Sequence, residues 1–564
     1  MANRLKAIAV VLLAVLLLAG CSLAGDKPIL DMSAAGRFED LVYNRPDPED
    51  MEQAVDELEE ALGRLCLPST LTGLIQDCYD CYYSYSTMST LADIRNCQDL
   101  SDEFYSEEYA WCLENMPRMQ QLVEEMYTLC AQSMYAPLLE HFFFWDGFVM
   151  EYRLEGGAGQ PEELYELYRQ ENQLINQYRS LISDPAIELG GQSVSLEEYM
   201  LTAGEDQIYE ALWAYYEQYN PRLGELYLQL IRLRQQQAEL AGFDSYEQMQ
   251  YSLAFERDYS PEEAEQYLRA IKECLGPYYA QVMAEQPYGS VSWEYMPEER
   301  LLEIVDQAAE KMGGDIEESF RFMQAYGLCD VEMRSYKAAM SFQSYLEDYG
   351  YPFIFLNPYG DQSDVLSFAH EFGHFTDAYI NYNAYETTDL AECFSQAMEY
   401  LVLFYLGDAM EEESREELLY YKALDTLELY VGQAAIAEFE SRAYSLTPEE
   451  LTVENLNRMY MEISSEYGLC DGSSPEQGWG WIDIAHLFES PFYVISYPVT
   501  NDVAMQIFAL EQEQAGLGLE KFLAMLPRQY DSLMPTLEEA GLDSPFDQGR
   551  IPQVRSSLER VLSR

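Results

Sequence analysis

Two histidines four residues apart flank a glutamate in the run His370-Glu371-Phe372-Gly373-His374. On a helix, positions i and i+4 lie about 40° apart around the axis, so both imidazoles project from one face and can share a metal ion. Glu371 stands one residue on, beside that face, where a carboxylate can take a proton from a water polarised by the metal. The chain has 4 histidines in all, so a chance occurrence of this pattern is expected about 0.003 times in a chain of this make-up. The chemistry this spacing offers is metal-assisted hydrolysis.

A hydrolytic zinc site needs a third protein ligand and one open position. Downstream, Asp389-Leu390-Ala391-Glu392-Cys393-Phe394-Ser395-Gln396-Ala397-Met398-Glu399 reads as a second helix with carboxylates at Asp389, Glu392 and Glu399. Two histidines and a carboxylate suit a zinc hydrolase, and the residues alone leave the three acids open as candidates. Cys393 is one step off that face and reads as core. Of the other histidines, His141, in the aromatic run EHFFFWDGF, reads as structural.

The elements that must position these groups are mostly helical. Val365, Leu366, Phe368, Ala369 and Phe372 supply the apolar side of the motif helix, and Ser363 or Asp361 can cap it. Tyr351 to Leu356 reads as a short edge strand just before it. Tyr209 to Ala241 has apolar residues at three-to-four spacing; Pro221 is expected to break or kink it, and Gly242 to cap it. Ser260-Pro261-Glu262-Glu263 is a capping-box start, with similar starts at Thr447-Pro448-Glu449-Glu450 and Ser474-Pro475-Glu476. Ala186 to Ser195 reads as a hairpin turning at Gly190-Gly191. The 47 tyrosines read chiefly as helix-packing residues with an apolar body and a polar tip.

The stretches GYPFIFLNPYGDQSDVLSFAHEFGHFTDAYI, LAECFSQAMEYL and WIDIAHLFESPFYVISY together resemble the oligoendopeptidase F and thimet oligopeptidase group of zinc metallopeptidases. The likeness extends more weakly over roughly residues 160 to 545, and the cysteine-rich part before about 150 resembles no family. The resemblance implies an all-α, mostly helical, two-lobed body with a deep channel, minor β-structure and one Zn²⁺ per chain, taking short peptide substrates. It also implies Glu392 as third ligand, with His486 and a tyrosine, Tyr493 or Tyr497 with Tyr497 preferred, reaching the substrate carbonyl and oxyanion. Two positions depart from the family pattern. Asp377 stands where a further histidine is frequent, and Ile495 where a tyrosine often stands. Asp377 either orients a ligand or lies on the surface. The expected organisation is 1–20 leader, 21–160 cysteine-containing helical region, 161–330 helical lobe and 331–564 zinc lobe.

The N-terminus reads as a leader: basic Arg4 and Lys6, an apolar run Ala7 to Leu18, then Leu18-Ala19-Gly20-Cys21, which resembles the bacterial lipobox. That run is too short to span a bilayer. A lipid on Cys21 would hold the chain at the outer face of the cytoplasmic membrane. The balance of 100 acidic against 32 basic residues, net −68, excludes a nucleic-acid partner. Besides Cys21 there are ten further cysteines among the total of 11, expected as disulfides in an extracytoplasmic setting. The composite expectation is an extracytoplasmic zinc endopeptidase of short peptides. The alternatives are a metallocarboxypeptidase and a non-catalytic peptide-binding lipoprotein. Sequence leaves the oligomeric state open.

Overall fold

Three-to-four spacing of apolar residues puts most of the chain into helices. A computed structural model describes residues 36–563 apart from 137, 140–161, 184, 286–292, 294 and 385. The leader, Cys21 and His141 lie outside the described residues. Helices α1 (Pro48–Leu62), α2 (Pro68–Gln98) and α3 (Glu103–Gln132) bury Met51, Leu58, Leu71, Ile75, Leu122 and Met126 in a core of their own. Asp47 and Asp102 cap α1 and α3 by accepting backbone N–H bonds.

A second, larger core runs from Phe38 to Leu562. Its first part is helix α4 (Glu162–Ile182), then the hairpin of β1 (Ala186–Leu189) and β2 (Gln192–Ser195), paired antiparallel across Gly190 and Gly191 as expected. Helix α5 (Glu205–Ala241) contains Pro221 yet is continuous, contrary to the expected break. Neighbouring Asn220 exchanges two amide hydrogen bonds with Asn457, at 3.0 and 2.7 Å, and Tyr219 and Leu223 are buried, so tertiary contacts hold the turn that proline weakens. Gly242 ends α5 left-handed, at φ 82°. Helix α6 (Pro261–Cys274) begins with the predicted Ser260–Glu263 capping box. Thr447–Glu450 instead closes a turn, with Glu450 accepting from the Thr447 hydroxyl, and the next helix starts at Val453. Ser474 leads into only a short 3-10 turn, Pro475–Gly478.

Helices α7 (Glu298–Met312) and α8 (Gly314–Tyr326) lead to a small sheet of β3 (Cys329–Asp330), β4 (Phe342–Leu346) and β5 (Tyr351–Phe355). The strand order is β3-β5-β4, so β5 is central and wholly buried rather than the expected edge. Pro352 is tolerated there because β3 pairs only with Ile354 and Phe355, which leaves no ladder partner wanting an N–H from residue 352. Lys337 locks β3 beside β5: its buried ammonium donates to Asp330 Oδ1 at 2.8 Å and to the Leu356 carbonyl at 2.7 Å. The N-terminal helices dock here too, through Gln98 to Asp330 at 2.7 Å and the Asp348 N–H to Thr87 at 2.9 Å.

The remaining framework is α9 (Asp364–Asn381), α10 (Thr388–Tyr405), α11 (Glu412–Tyr444), α12 (Ser496–Glu513) and α13 (Leu517–Met525). Among the described residues no helix is long and apolar enough to cross a membrane. The ten described cysteines are all free thiols, so the expected disulfides are not met. Cys78, Cys97, Cys112, Cys130 and Cys393 are buried in helix-packing faces and act as small apolar residues. Burial pushes the Cys78 and Cys130 thiols up to about 12, which suits neither thiolate ligation nor exchange.

Replacing Lys337 with methionine should lower stability by about 3 kcal/mol, because the buried Asp330 Oδ1 and the Leu356 carbonyl lose their donor and Asp330 is left with Arg334 as its cation. Chemical denaturation of K337M against the parent measures this.

Candidate metal centre

The motif helix α9 is fixed at its start by an acid. Asp364 accepts from the backbone N–H groups of Tyr359, Gly360 and Asp361 at 2.8, 2.8 and 3.1 Å. Asp361 in turn accepts from the Ser363 N–H at 2.8 Å, whereas Ser363, at the N-cap position, makes no side-chain cap bond. Val365, Phe368, Ala369 and Phe372 anchor one face in the core, which leaves His370 and His374 on the other. Helix α10 crosses at Gly373. A Cβ on Gly373 would lie 2.5 Å from both the Phe394 carbonyl oxygen and Ser395 Cα, so only glycine allows this approach.

That crossing brings the third acid in. Glu392 Oε2 lies 3.6 Å from His370 Nε2 and 3.9 Å from His374 Nε2, and one ligand atom from each residue falls within 4.8 Å of the others. Ser395 steadies the carboxylate by donating to Glu392 Oε2 at 3.1 Å. The other two candidate acids face elsewhere. Glu399 accepts from His370 Nδ1 at 2.9 Å and is held by the buried Lys422 ammonium at 2.7 Å. Asp389 pairs with buried Arg257 at 3.4 Å.

The local field sorts the titratable groups. Burial pushes the Glu371 carboxyl up to about 7, with the His370 charge opposing and Glu392 and Glu399 adding to the rise. His374 is depressed to about 4 by burial against the pull of Glu392. For His370 burial acts downward too, but the bond and charge of Glu399 outweigh it and raise the imidazole to about 9.

His486, Tyr493 and Tyr497 gather next to these groups. Tyr493 donates to Glu392 Oε1 at 3.1 Å, whereas the Tyr497 hydroxyl meets His486 Nε2 at 3.2 Å. The His486 ring stacks on Tyr493 with centroids 5.5 Å apart. Burial lowers His486 and pushes Tyr497 up to about 12. Asp377 is neither at the surface nor against His374. It is buried and pairs with Arg528 at 3.0 Å, and the same guanidinium binds Glu386 at 3.0 Å.

The model of the peptidase family M3 matches residues 300–528, and that of the peptidase M3 N-terminal domain matches residues 38–144. The chain belongs to the M3 peptidase family. The second match places the cysteine-rich region, which resembles nothing on sequence reading, inside the M3 pattern as well. Oligopeptidase PepF of Bacillus subtilis (strain 168) is 25% identical over 210 residues, which is 34% of this chain and 30% of that relative's length. Among solved structures, a PZ peptidase A with an inhibitor has 21% identity and a TM-score of 0.76, covering 93% of this chain and 99% of the other. An oligoendopeptidase F from Enterococcus faecium has 17% identity and a TM-score of 0.60, covering 92% and 96%. These structures share the mostly helical M3 fold.

Within this M3 chain the donor set fits Zn²⁺: two imidazole nitrogens and one carboxylate, with His370 oriented by a carboxylate on its other nitrogen. Glu399, seven residues after Glu392 and two turns along the same helix face, was a candidate ligand by sequence; in the structure it supports His370 instead. Lys422, Arg257 and Ser395 were not legible as site residues; Lys422 lies within an ordinary amphipathic run.

A methyl group at the helix crossing should separate the ligands. G373A is expected to lower zinc affinity by at least about 10-fold and stability by about 1–3 kcal/mol, the usual cost of overpacking. Zinc titration against a competing chelator and thermal unfolding measure the two effects. E399Q should weaken zinc binding by about 10–100-fold, and it should also lower the melting temperature of the metal-free protein, because the buried Lys422 ammonium loses its close carboxylate partner.

Proposed function

We propose that this M3 chain is a zinc-dependent oligopeptidase that hydrolyses internal bonds of short peptides, held by a lipid on Cys21 at the outer face of a bacterial cytoplasmic membrane. The observation that carries the reading is the meeting of His370, His374 and Glu392 with buried Glu371 beside them and the His486–Tyr493–Tyr497 group adjoining. The oligopeptidase and oligoendopeptidase names of the relatives point to short peptides as the substrate class. The leader and the Leu-Ala-Gly-Cys tetrapeptide support the location.

His370, His374 and Glu392 would hold the ion through two Nε2 atoms and a carboxylate. When bound, zinc supplies a Lewis acid that brings the pKa of water towards ~7 and polarises a carbonyl. Glu371, buried and poised near neutrality, accepts the proton of the attacking water and passes it to the leaving amine nitrogen. Glu399 and Lys422 keep the Nδ1 proton of His370 in place, so Nε2 presents its lone pair. His486 and Tyr497 lie ready to donate to the oxyanion; one such donor is worth about 3–4 kcal/mol. Tyr493 holds the ligand carboxylate, which favours Tyr497 as the hydroxyl that meets substrate.

E371Q should retain one zinc per chain while turnover on a quenched short peptide falls by about 10²–10⁴-fold. H374A and E392A should lose the metal and the activity together, and zinc should restore a chelator-treated parent. Product masses from a peptide library test the cleavage mode. Loss of single C-terminal residues would make the protein a carboxypeptidase, and peptides bound but never cut would make it a binding lipoprotein. C21A should move the protein from the membrane fraction to the soluble one; unchanged fractionation would remove the lipid anchor from the proposal.

A further inference from the structure

Phe492, the residue before Tyr493, has a φ of 65°, a left-handed conformation that bulky side chains rarely adopt. Its backbone is held from both sides by buried ionisable side chains. The Phe492 N–H donates to Glu440 Oε2 at 2.8 Å, and its carbonyl accepts from Arg257 Nη2 at 2.8 Å. Glu440 and Arg257 are each enclosed: Glu440 is 1% exposed and the Arg257 side chain 0%.

Arg257 reaches further. Nη2 also donates to Ser496 Oγ at 2.8 Å, at the first residue of α12, the helix that carries Tyr497. Its Nε faces Asp389 at 3.4 Å, three residues before Glu392 on α10. One guanidinium therefore touches both segments whose ends meet as the Tyr493–Glu392 hydrogen bond. The guanidinium is itself fixed between the rings of Tyr251 and Phe255, each 4.4 Å away. Those rings come from a π-helical turn, Gln250–Ala254, and the residue after it, and the Arg257 N–H returns to the Tyr251 carbonyl at 2.8 Å. Single π turns are frequently found beside functional sites, where they redirect one side chain.

We propose that Arg257 and Glu440 are positioning residues that hold Phe492 left-handed and so set the reach of Tyr493 to the ligand carboxylate and of Tyr497 to the substrate. This rests on the zinc-peptidase reading above. Neither residue touches the reacting atoms. The consequence is that loss of either shifts the tyrosines without disturbing His370 or His374, whose helix α9 is anchored by other contacts.

The test uses the zinc-loaded full chain and a quenched short peptide, with R257Q, R257K, E440L and E440Q beside the parent. Zinc content, melting temperature, kcat and KM are measured for each. In R257Q and E440L kcat should fall by about 100-fold, the scale of one lost oxyanion donor, with one zinc per chain retained and KM within about twofold. E440Q should recover most of the kcat lost in E440L, because its amide oxygen still accepts from the Phe492 N–H. R257K should fall between, since one ammonium cannot serve Asp389, the Phe492 carbonyl and Ser496 together. A lower melting temperature with kcat per zinc-loaded molecule unchanged would overturn the proposal and reduce both residues to fold stability. If the Arg257 variants do not fold, the Glu440 pair decides: equal kcat in E440L and E440Q would overturn it. A zinc-loaded parent that cuts no peptide would overturn the zinc-peptidase reading, and this proposal with it; an active parent with fully active variants would remove only the positioning role.

Discussion

The approach of α9 to α10 at Gly373 is the contact on which the site depends. Two imidazoles on one helix face are two-thirds of a zinc site, and the last third must come from elsewhere in the chain. With backbone atoms of Phe394 and Ser395 where a Cβ on Gly373 would be, α10 comes close enough for Glu392 to reach both histidines. The arrangement then closes outward: Ser395 and Tyr493 fix the Glu392 carboxylate, and Glu399 with Lys422 fixes His370. A spacing set by backbone contact cannot be recovered by changing rotamers.

Much of this was readable from residues. The motif fixes helix and face at once, because a period of 3.6 sets His370 and His374 side by side. The Ser260 capping box, the Gly242 cap and the Gly190–Gly191 hairpin were legible for the same reason: each depends on neighbours in sequence. What failed depends on distant partners. Asp389, Glu392 and Glu399 could not be ranked by spacing alone, since Arg257 and Lys422, which claim two of them, lie on other segments of the chain. Pro221 was expected to break α5 because propensity cannot see Asn457 across the core. Tyr351 to Leu356 was expected as an edge strand, yet β5 lies between β3 and β4; Pro352 fits there because β3 is two residues long and stops short of it. The cysteines were judged by number and setting, and neither contains a distance; the thiols are core residues.

The interior has a repeated device. Arg234 binds Glu171 and the carbonyls of Leu487 and Phe488, Arg550 binds Asp502, and Lys337, Lys422, Arg257 and Arg528 each hold a carboxylate inside the protein. Removing one partner of such a pair strands a buried charge, which costs far more than the pair gains. Several of these groups join segments distant in sequence, as Arg234 does between α5 and the Leu487 carbonyl, 253 residues apart. Two of them, Arg234 and Arg257, hold the backbone of the tyrosine-bearing segment at Leu487, Phe488 and Phe492.

Six of the 32 basic residues are thus withdrawn from the surface of a chain that carries 100 acidic ones. Each takes an acid inward with it, and Arg528 takes two, but cations are scarce and acids are not, so the ratio outside becomes still more one-sided. The exterior then behaves as a polyanion with a condensed cloud of small cations, whose extent follows the Debye length, about 8 Å at 0.15 M salt. Folding brings these like charges together and releases part of their repulsion only when that cloud is dense. The protein's tolerance of dilute media is therefore governed by mobile counter-ions that it does not itself encode.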